Sequence, residues 1–186
     1  MAWARRRSPR VVIRNVAIIG AGKIARDQHV PALRASEAFS LVATVDTGGG
    51  IDGVPNHRDL AALLASGIRV DAVAICTPPQ VRGAIARQAI AAGLHVLLEK
   101  PPAVTLTELT VLTDLARGAG VTLFAAWHSR FAPMVEGARD WLHGKTVTGG
   151  QVTWRESVRR WDPGHSWLWA PGGLGVFDPG ITRSRS

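Results

Sequence analysis

The sequence predicts an α/β chain: a parallel sheet with helices on both faces, followed by an incomplete second α+β domain. Three observations carry that expectation. Short β-rich apolar runs alternate with helical patterns up to about residue 127, as in a sheet wrapped by crossover helices. The first run, Val16-Ala17-Ile18-Ile19, is apolar throughout, the pattern of a strand buried on both faces. Beyond about residue 128 the texture changes and ends in a Trp-, Pro- and Gly-rich stretch from Trp161 to Gly175.

Taken in order, Val16–Ile19 is the first strand, and Ile24–Ser36 reads as a helix in which Pro31 marks a break or a second start. Leu41–Val45 is the second strand and stops at Asp46. Thr47–Gly50 is a flexible connection, and 58–65 a short helix. Val70–Ile75 is the third strand, halted by Thr77-Pro78-Pro79. The next helix places Val81, Ile85, Ala89 and Ala92 on one face, and Gly93 caps it. Leu94–Leu98 is the fourth strand. Leu106, Leu109, Leu112, Leu115 and Ala116 mark an amphipathic helix ending near Gly118-Ala119-Gly120, and Val121–Phe124 is a fifth strand. A helical piece over 133–142 and an alternating, strand-like run over 149–158 open the second unit. The boundaries read as a basic, disordered extension over 1–14, a nucleotide-binding domain over 15–127, and the start of a substrate domain over 128–186.

Composition narrows the function classes. The 186-residue chain is 46% hydrophobic and 19% charged, ordinary for a globular protein. Its +8 net charge is concentrated at the ends: Arg5, Arg6, Arg7, Arg10, Arg14, Arg183 and Arg185 account for seven of the eight. Nucleic-acid binding calls for a basic face on a folded domain, so no nucleic-acid partner is expected. The single cysteine, Cys76, excludes a disulfide framework and a CxxC site, and a cytoplasmic setting fits. Arg5-Arg6-Arg7-Ser8 resembles the start of an export signal, but Arg14-Asn15 interrupts the apolar run that a signal needs. No stretch approaches a membrane span, and no carboxylate–histidine spacing suggests a metal.

The chemistry-bearing motifs fall at strand ends. Gly20-x-Gly22-x-x-Ala25 lies between a strand and a helix, with Lys23 and Ile24 inside the turn, a Rossmann-type dinucleotide fingerprint. Gly20 permits the tight turn, Gly22 admits a pyrophosphate, and Ala25 lets the helix pack closely. The helix N-terminus adds partial positive charge toward phosphate. The spacing before Lys23 rules out a P-loop. Asp46, at the tip of the second strand, is placed to accept the adenosine ribose hydroxyls and to repel a 2′-phosphate. No Lys or Arg follows in Thr47-Gly48-Gly49, so NAD is expected over NADP. Thr77-Pro78 and Glu99-Lys100-Pro101 occupy carboxyl ends of further strands, where open α/β sheets bind ligands.

Together the Gly-x-Gly-x-x-Ala turn, Cys76-Thr77-Pro78-Pro79 and Glu99-Lys100-Pro101 resemble the glucose–fructose oxidoreductase/inositol dehydrogenase (Gfo/Idh/MocA) family, over about residues 15–181. Trp127-His128-Ser129-Arg130-Phe131 and Val176-Phe177-Asp178-Pro179-Gly180-Ile181 narrow the resemblance to bacterial dehydrogenases acting at C1 of L-arabinose and D-galactose. The resemblance implies an NAD-dependent oxidation of an aldose sugar to its lactone. It makes Lys100 the base or the group that polarises O1, beside a cationic ring whose like charge, with desolvation, favours the neutral amine. It implies a cis bond before Pro101, Asp178 paired with Lys100 or bonded to the sugar, and a homodimer in intact relatives. Thr77, Pro78, Glu99 and Lys100 are the expected contacts on the cofactor's nicotinamide side. The residues alone leave open a solvated Lys100.

Glu156 and His128 are candidate sugar-binding residues, with a solvated charge and a structural histidine as the plain alternatives. Trp154, Trp161, Trp167 and Trp169 suit packing better than a sugar platform. Two departures stand out. An asparagine is expected four residues after the aspartate of the Phe-Asp-Pro-Gly-Ile motif, yet Thr182 stands there, and Arg183-Ser184-Arg185-Ser186 follows. Both suggest a truncated or frameshifted reading frame, in which sugar binding and hydride transfer by an enzyme of this ancestry would be weak or absent. The alternative function is a non-catalytic NAD- or sugar-binding regulator of the same fold.

Overall fold

The computed structural model describes residues 12–151, 153 and 170–171. Its strands are β1 (Arg14–Ile19), β2 (Phe39–Val45), β3 (Asn56–His57), β4 (Ala72–Ile75), β5 (His95–Leu98) and β6 (Leu123–Ala125). The α-helices are α1 (Val30–Arg34), α2 (Leu60–Ala65), α3 (Pro79–Ala91), α4 (Leu106–Ala119) and α5 (Val135–Leu142). All pairings are parallel, in the order β3-β2-β1-β4-β5-β6. That is the doubly wound Rossmann order, whose direction of travel reverses beside β1 and leaves a crevice at the strands' carboxyl ends.

Side-chain alternation along β1 explains why its run is wholly apolar. Ala17 and Ile19 face one core, with Leu60 and Leu63 of α2, Ala86, Ala89 and Ile90 of α3, and Leu112 and Ala116 of α4. Val16 and Ile18 face the other core, with Ala25 and Val30. Each fully buried Ile or Leu contributes about 1.5–3 kcal/mol, and Ile18, Leu63, Ile75, Leu98 and Leu112 are all in that state. The second core is smaller. α1 covers only part of its face, and a hollow of ≈450 Å³ remains over Val16, Leu33, Phe39, Ala74, Leu97 and Phe124.

The break expected at Pro31 is present, and several other elements differ from expectation for identifiable reasons. The helix after β1 is split: a π-helical turn over Ala25–His29 runs into α1, with Pro31 in the first turn of α1. A proline lacks the N–H that a helix interior needs, and the first turn is where that loss is tolerated. β1 starts at Arg14, inside the stretch expected to be a disordered extension. β3, only two residues long, has no periodicity to announce it. α2 starts at Leu60 rather than Arg58, because the Asp59 carboxylate caps it by accepting from the Ala62 N–H at 2.7 Å.

The face of α3 is also rotated from its expected position. Arg82, Gly83, Ala86, Ala89 and Ile90 are buried, whereas Val81 is 49% exposed. The small residues at 83 and 86 admit α4, whose Glu108 side chain occupies the space a Cβ on Gly83 would fill. Glu108 also serves its own helix. Its N–H donates to Thr105 Oγ1 at 3.1 Å and its carboxylate accepts from the Val104 N–H at 3.0 Å, a variant of the capping box. α4 ends at Gly120, whose left-handed φ of +67° suits the C-terminal position. Most of the alternating run over 149–158, and all of the tryptophan-rich stretch that follows apart from Ala170 and Pro171, lie outside the described residues.

Candidate functional site

The glycine turn after β1 is built against the loop after β4. Gly20 has φ +91°, and a Cβ there would lie 2.9 Å from the Thr77 amide nitrogen and 3.1 Å from the Cys76 carbonyl carbon. Both the conformation and the contact with backbone require glycine. Gly22 differs: a Cβ there would meet nothing within 4 Å, so the fold itself does not need glycine at this position.

Two charged side chains bind the turn to the loop after β2. Asp46 accepts from the Ala21 N–H at 2.6 Å with one oxygen and from the Gly48 N–H at 2.6 Å with the other. Arg26 donates to the Ala21 carbonyl at 2.8 Å and to the Gly50 carbonyl at 2.8 Å. Asp46 thus holds the turn as well as ending the strand, and a carboxylate has lone pairs beyond these two bonds.

These loops enclose a cleft of ≈430 Å³ at the carboxyl ends of β1, β2 and β4, lined by Gly20, Gly22, Asp46, Thr77 and Pro78 among others. Thr77 Oγ1 is buried and has no hydrogen-bond partner among the described residues. An open face over Gly22, a buried hydroxyl without a partner, and the topological switch point fit the pyrophosphate and ribose of a dinucleotide. Lys23 and Ile24 are placed otherwise. Lys23 pairs with Asp27 on the exposed surface, and Ile24 precedes the π-helical turn with its side chain partly exposed. Neither lines the cleft. Arg58, Asp59, Ile85 and Gln88 do line it. Periodicity places Ile85 on a helix face but marks none of the four for the site, because they come from the segment before α2 and from the flank of α3.

Beside this cleft lies the turn after β5. Ile75 and Leu98 are register partners, so Thr77 and Lys100 leave the sheet at the same level on adjacent strands. The Lys100–Pro101 bond is cis. Glu99 points away from the cleft: its Oε1 meets His29 Nε2 at 2.7 Å and its Oε2 accepts from the Lys100 N–H at 3.0 Å. The side chains of His29 and Glu99 are only 15% and 12% exposed. Burial works to raise the Glu99 pKa, but the His29 and Lys100 hydrogen bonds and the His29 and Arg82 charges together hold it below the usual carboxylate value.

Arg82, 3% exposed, lies beneath both loops. Its Nη1 donates to the carbonyls of Glu99 and Pro101, and its Nη2 to that of Thr77. Burial, reinforced by the charge of Glu99, pushes the Cys76 thiol up to about 12, which keeps it protonated and unfit as a nucleophile. Among the described residues no cluster of His, Cys, Asp and Glu is arranged to hold a metal ion, and no helix is long and apolar enough to cross a membrane. His128 opens a 3₁₀ turn over His128–Phe131 just after β6. Glu156 and Asp178 lie outside the described residues.

Comparisons with known proteins agree with this geometry. Galactose 1-dehydrogenase from Pseudomonas fluorescens is 48% identical over 168 residues, covering 89% of this chain and 53% of that protein. The crystal structure of a D-galactose-1-dehydrogenase from Rhizobium etli superimposes with a TM-score of 0.87 at 46% identity, over 95% of this chain and 57% of that one. GenD2 from gentamicin A biosynthesis, solved in complex with NAD, superimposes with a TM-score of 0.67 at 29% identity, over 77% of this chain and 42% of that one. The chain therefore spans about half the length of the relatives it matches. A family model described as an oxidoreductase family with an NAD-binding Rossmann fold matches residues 14–127. By that match, which takes in more than half of its length, the chain belongs to the Gfo/Idh/MocA oxidoreductase family.

Proposed function

We propose that the cleft between the glycine turn, Asp46 and Thr77 binds NAD, and that the chain serves the oxidation of an aldose, D-galactose or L-arabinose, at C1 to its lactone. The observation that carries this reading is the convergence of Gly20, Gly22, Asp46 and Thr77 on one cleft, with the Lys100 turn leaving the sheet at the same level. The 48% identity to galactose 1-dehydrogenase supplies the substrate class. Preference for NAD over NADP rests on Asp46, whose carboxylate is held at the tip of β2 by two backbone amides and repels a 2′-phosphate.

Bound NAD supplies the hydride acceptor for C1. Lys100 takes the proton from O1, so that the anomeric carbon becomes the lactone carbonyl as its C–H bond is lost. Asp178 is assigned to pair with Lys100, and Glu156 and His128 to hold sugar hydroxyls. Thr77, Pro78, Glu99 and Lys100 form the nicotinamide side, Glu99 acting through its bond to the Lys100 amide rather than by touching the ring.

The test is NADH formation by the purified chain with each sugar and NAD, with identification of the lactone and a Lys100→Met variant in parallel. Turnover that disappears in the variant supports the reading, and turnover that survives refutes the role of Lys100. NAD binding with no turnover in the wild type supports the cofactor site and contradicts oxidation by this chain.

A further inference from the structure

The three carbonyls that Arg82 engages belong to two separate loops. Thr77 is the wall of the cleft, while Glu99 and Pro101 stand immediately before and after Lys100. One guanidinium thus grips the carbonyls of the two residues that flank Lys100 and fastens them to the residue lining the cofactor cleft. Arginine is suited to this and lysine is not. A guanidinium is a rigid plane with five N–H donors, able to serve several acceptors at fixed angles, whereas an ammonium is a single point on a flexible stem. Burying a cation is costly unless it is well bonded. A plain packing role at this position of α3 is filled more cheaply by an apolar residue, as Ala86 and Ala89 fill theirs.

From this geometry we infer that Arg82 is a positioning residue: it sets the placement of the Lys100 amine relative to a dinucleotide lying against Thr77. Arg82 lies under the loops and is not among the residues lining the cleft, so it acts through the backbone. A further fastening of the same turn runs from His29 through the Glu99 carboxylate to the Lys100 amide, beside the sheet bond from the Glu99 N–H to the Ile75 carbonyl at 3.1 Å. Losing Arg82 leaves these bonds in place, yet frees the turn to shift against Thr77. This inference rests on the reading of Lys100 given above.

The chain has three lysines, Lys23, Lys100 and Lys145, so reductive ¹³C-methylation, which keeps the charge, yields few side-chain NMR signals. Lys100 is identified by its loss in Lys100→Arg. The experiment follows that signal as NADH is added to the wild-type chain, to Arg82→Met and to Arg82→Lys, with NADH affinity and a thermal melt measured on each. In the wild type the Lys100 signal moves on binding. In Arg82→Met, NADH affinity stays within about threefold, because the glycine turn and Asp46 are untouched, but the Lys100 signal no longer responds.

Arg82→Lys retains charge and length without the planar fork, and behaves as Arg82→Met does. It also serves as the reporter if Arg82→Met fails to fold. A Lys100 signal that responds in a folded variant as it does in the wild type overturns the inference and leaves the reading of Lys100 standing. A wild-type signal that ignores bound NADH overturns that reading, and the inference with it.

Discussion

The two glycines of the turn make opposite demands, and substituting each separates folding from binding. At Gly20, alanine must adopt φ +91° and place its Cβ 2.9 Å from the Thr77 amide nitrogen. The left-handed conformation costs about 1–2 kcal/mol, and relief of the contact requires moving backbone rather than a side chain. Gly20→Ala is expected to lose about 2–4 kcal/mol in total, roughly 5–15 °C in Tm for a domain of this size. At Gly22, a new Cβ meets nothing within 4 Å, so Gly22→Val should alter stability by only about 0.5 kcal/mol. Its side chain would occupy the open face to which the pyrophosphate is assigned, lowering NADH affinity by about tenfold or more, or ~1.4 kcal/mol. Thermal melts without ligand, followed by fluorescence titration with NADH, measure both quantities on the same samples. A Gly22→Val chain that binds NADH like the wild type refutes the placement of the dinucleotide. A Gly20→Ala chain with an unchanged Tm refutes the close approach of the turn to Thr77.

Further expectations concern Asp46, Glu99, Cys76 and the core. Asp46→Ser removes the charge that repels a 2′-phosphate and should shift preference toward NADPH by about tenfold; an unchanged ratio in competing titrations contradicts that role. The Glu99 carboxylate is held below its ordinary value of 4.5. Its stabilising effect is therefore fully present above that pH and is lost as pH falls through the folded value. Acid melts of Glu99→Gln should lack this part of the wild-type decline, and parallel curves would count against it. With its thiol pushed up to about 12, Cys76 should resist alkylation at pH 8 until the chain is unfolded, and rapid labelling of the native chain would show otherwise. Ile18→Ala, at a fully buried position of β1, should cost about 2–5 kcal/mol in denaturant titrations, against a negligible change if the strand were exposed on one face.

The sheet's centre was legible because β1 and β4 are buried on both faces, which writes continuous apolar runs into the sequence at Val16–Ile19 and in β4. The glycine turn and the Thr77 and Glu99-Lys100-Pro101 loops were legible because each interrupts such a run with residues a strand would not use. Other features left no local trace. β3 is two residues long, too short to show a period, and its Asn56 side chain bonds Thr44 and the Asp46 carbonyl across the chain. Periodicity puts the buried side of α3 at Val81 and Ile85 because Arg82 counts as polar, although here its guanidinium is buried against carbonyls. His29 and Glu99 meet across 70 residues, a pairing that only the crossover topology creates. Asp46 was anticipated at its position, but its bonds to the Ala21 and Gly48 amides follow from a turn geometry that spacing alone does not specify.

The claim on which the rest depends is that the cleft at the switch point holds a nicotinamide dinucleotide, and calorimetric titration of the wild-type chain with NADH tests it most directly. The account predicts saturable binding at one site per chain, competed by NAD and stabilising the fold by about 2.7 kcal/mol at a hundredfold excess over Kd. A chain that melts cooperatively yet shows neither heat of binding nor a ligand-dependent Tm would contradict it.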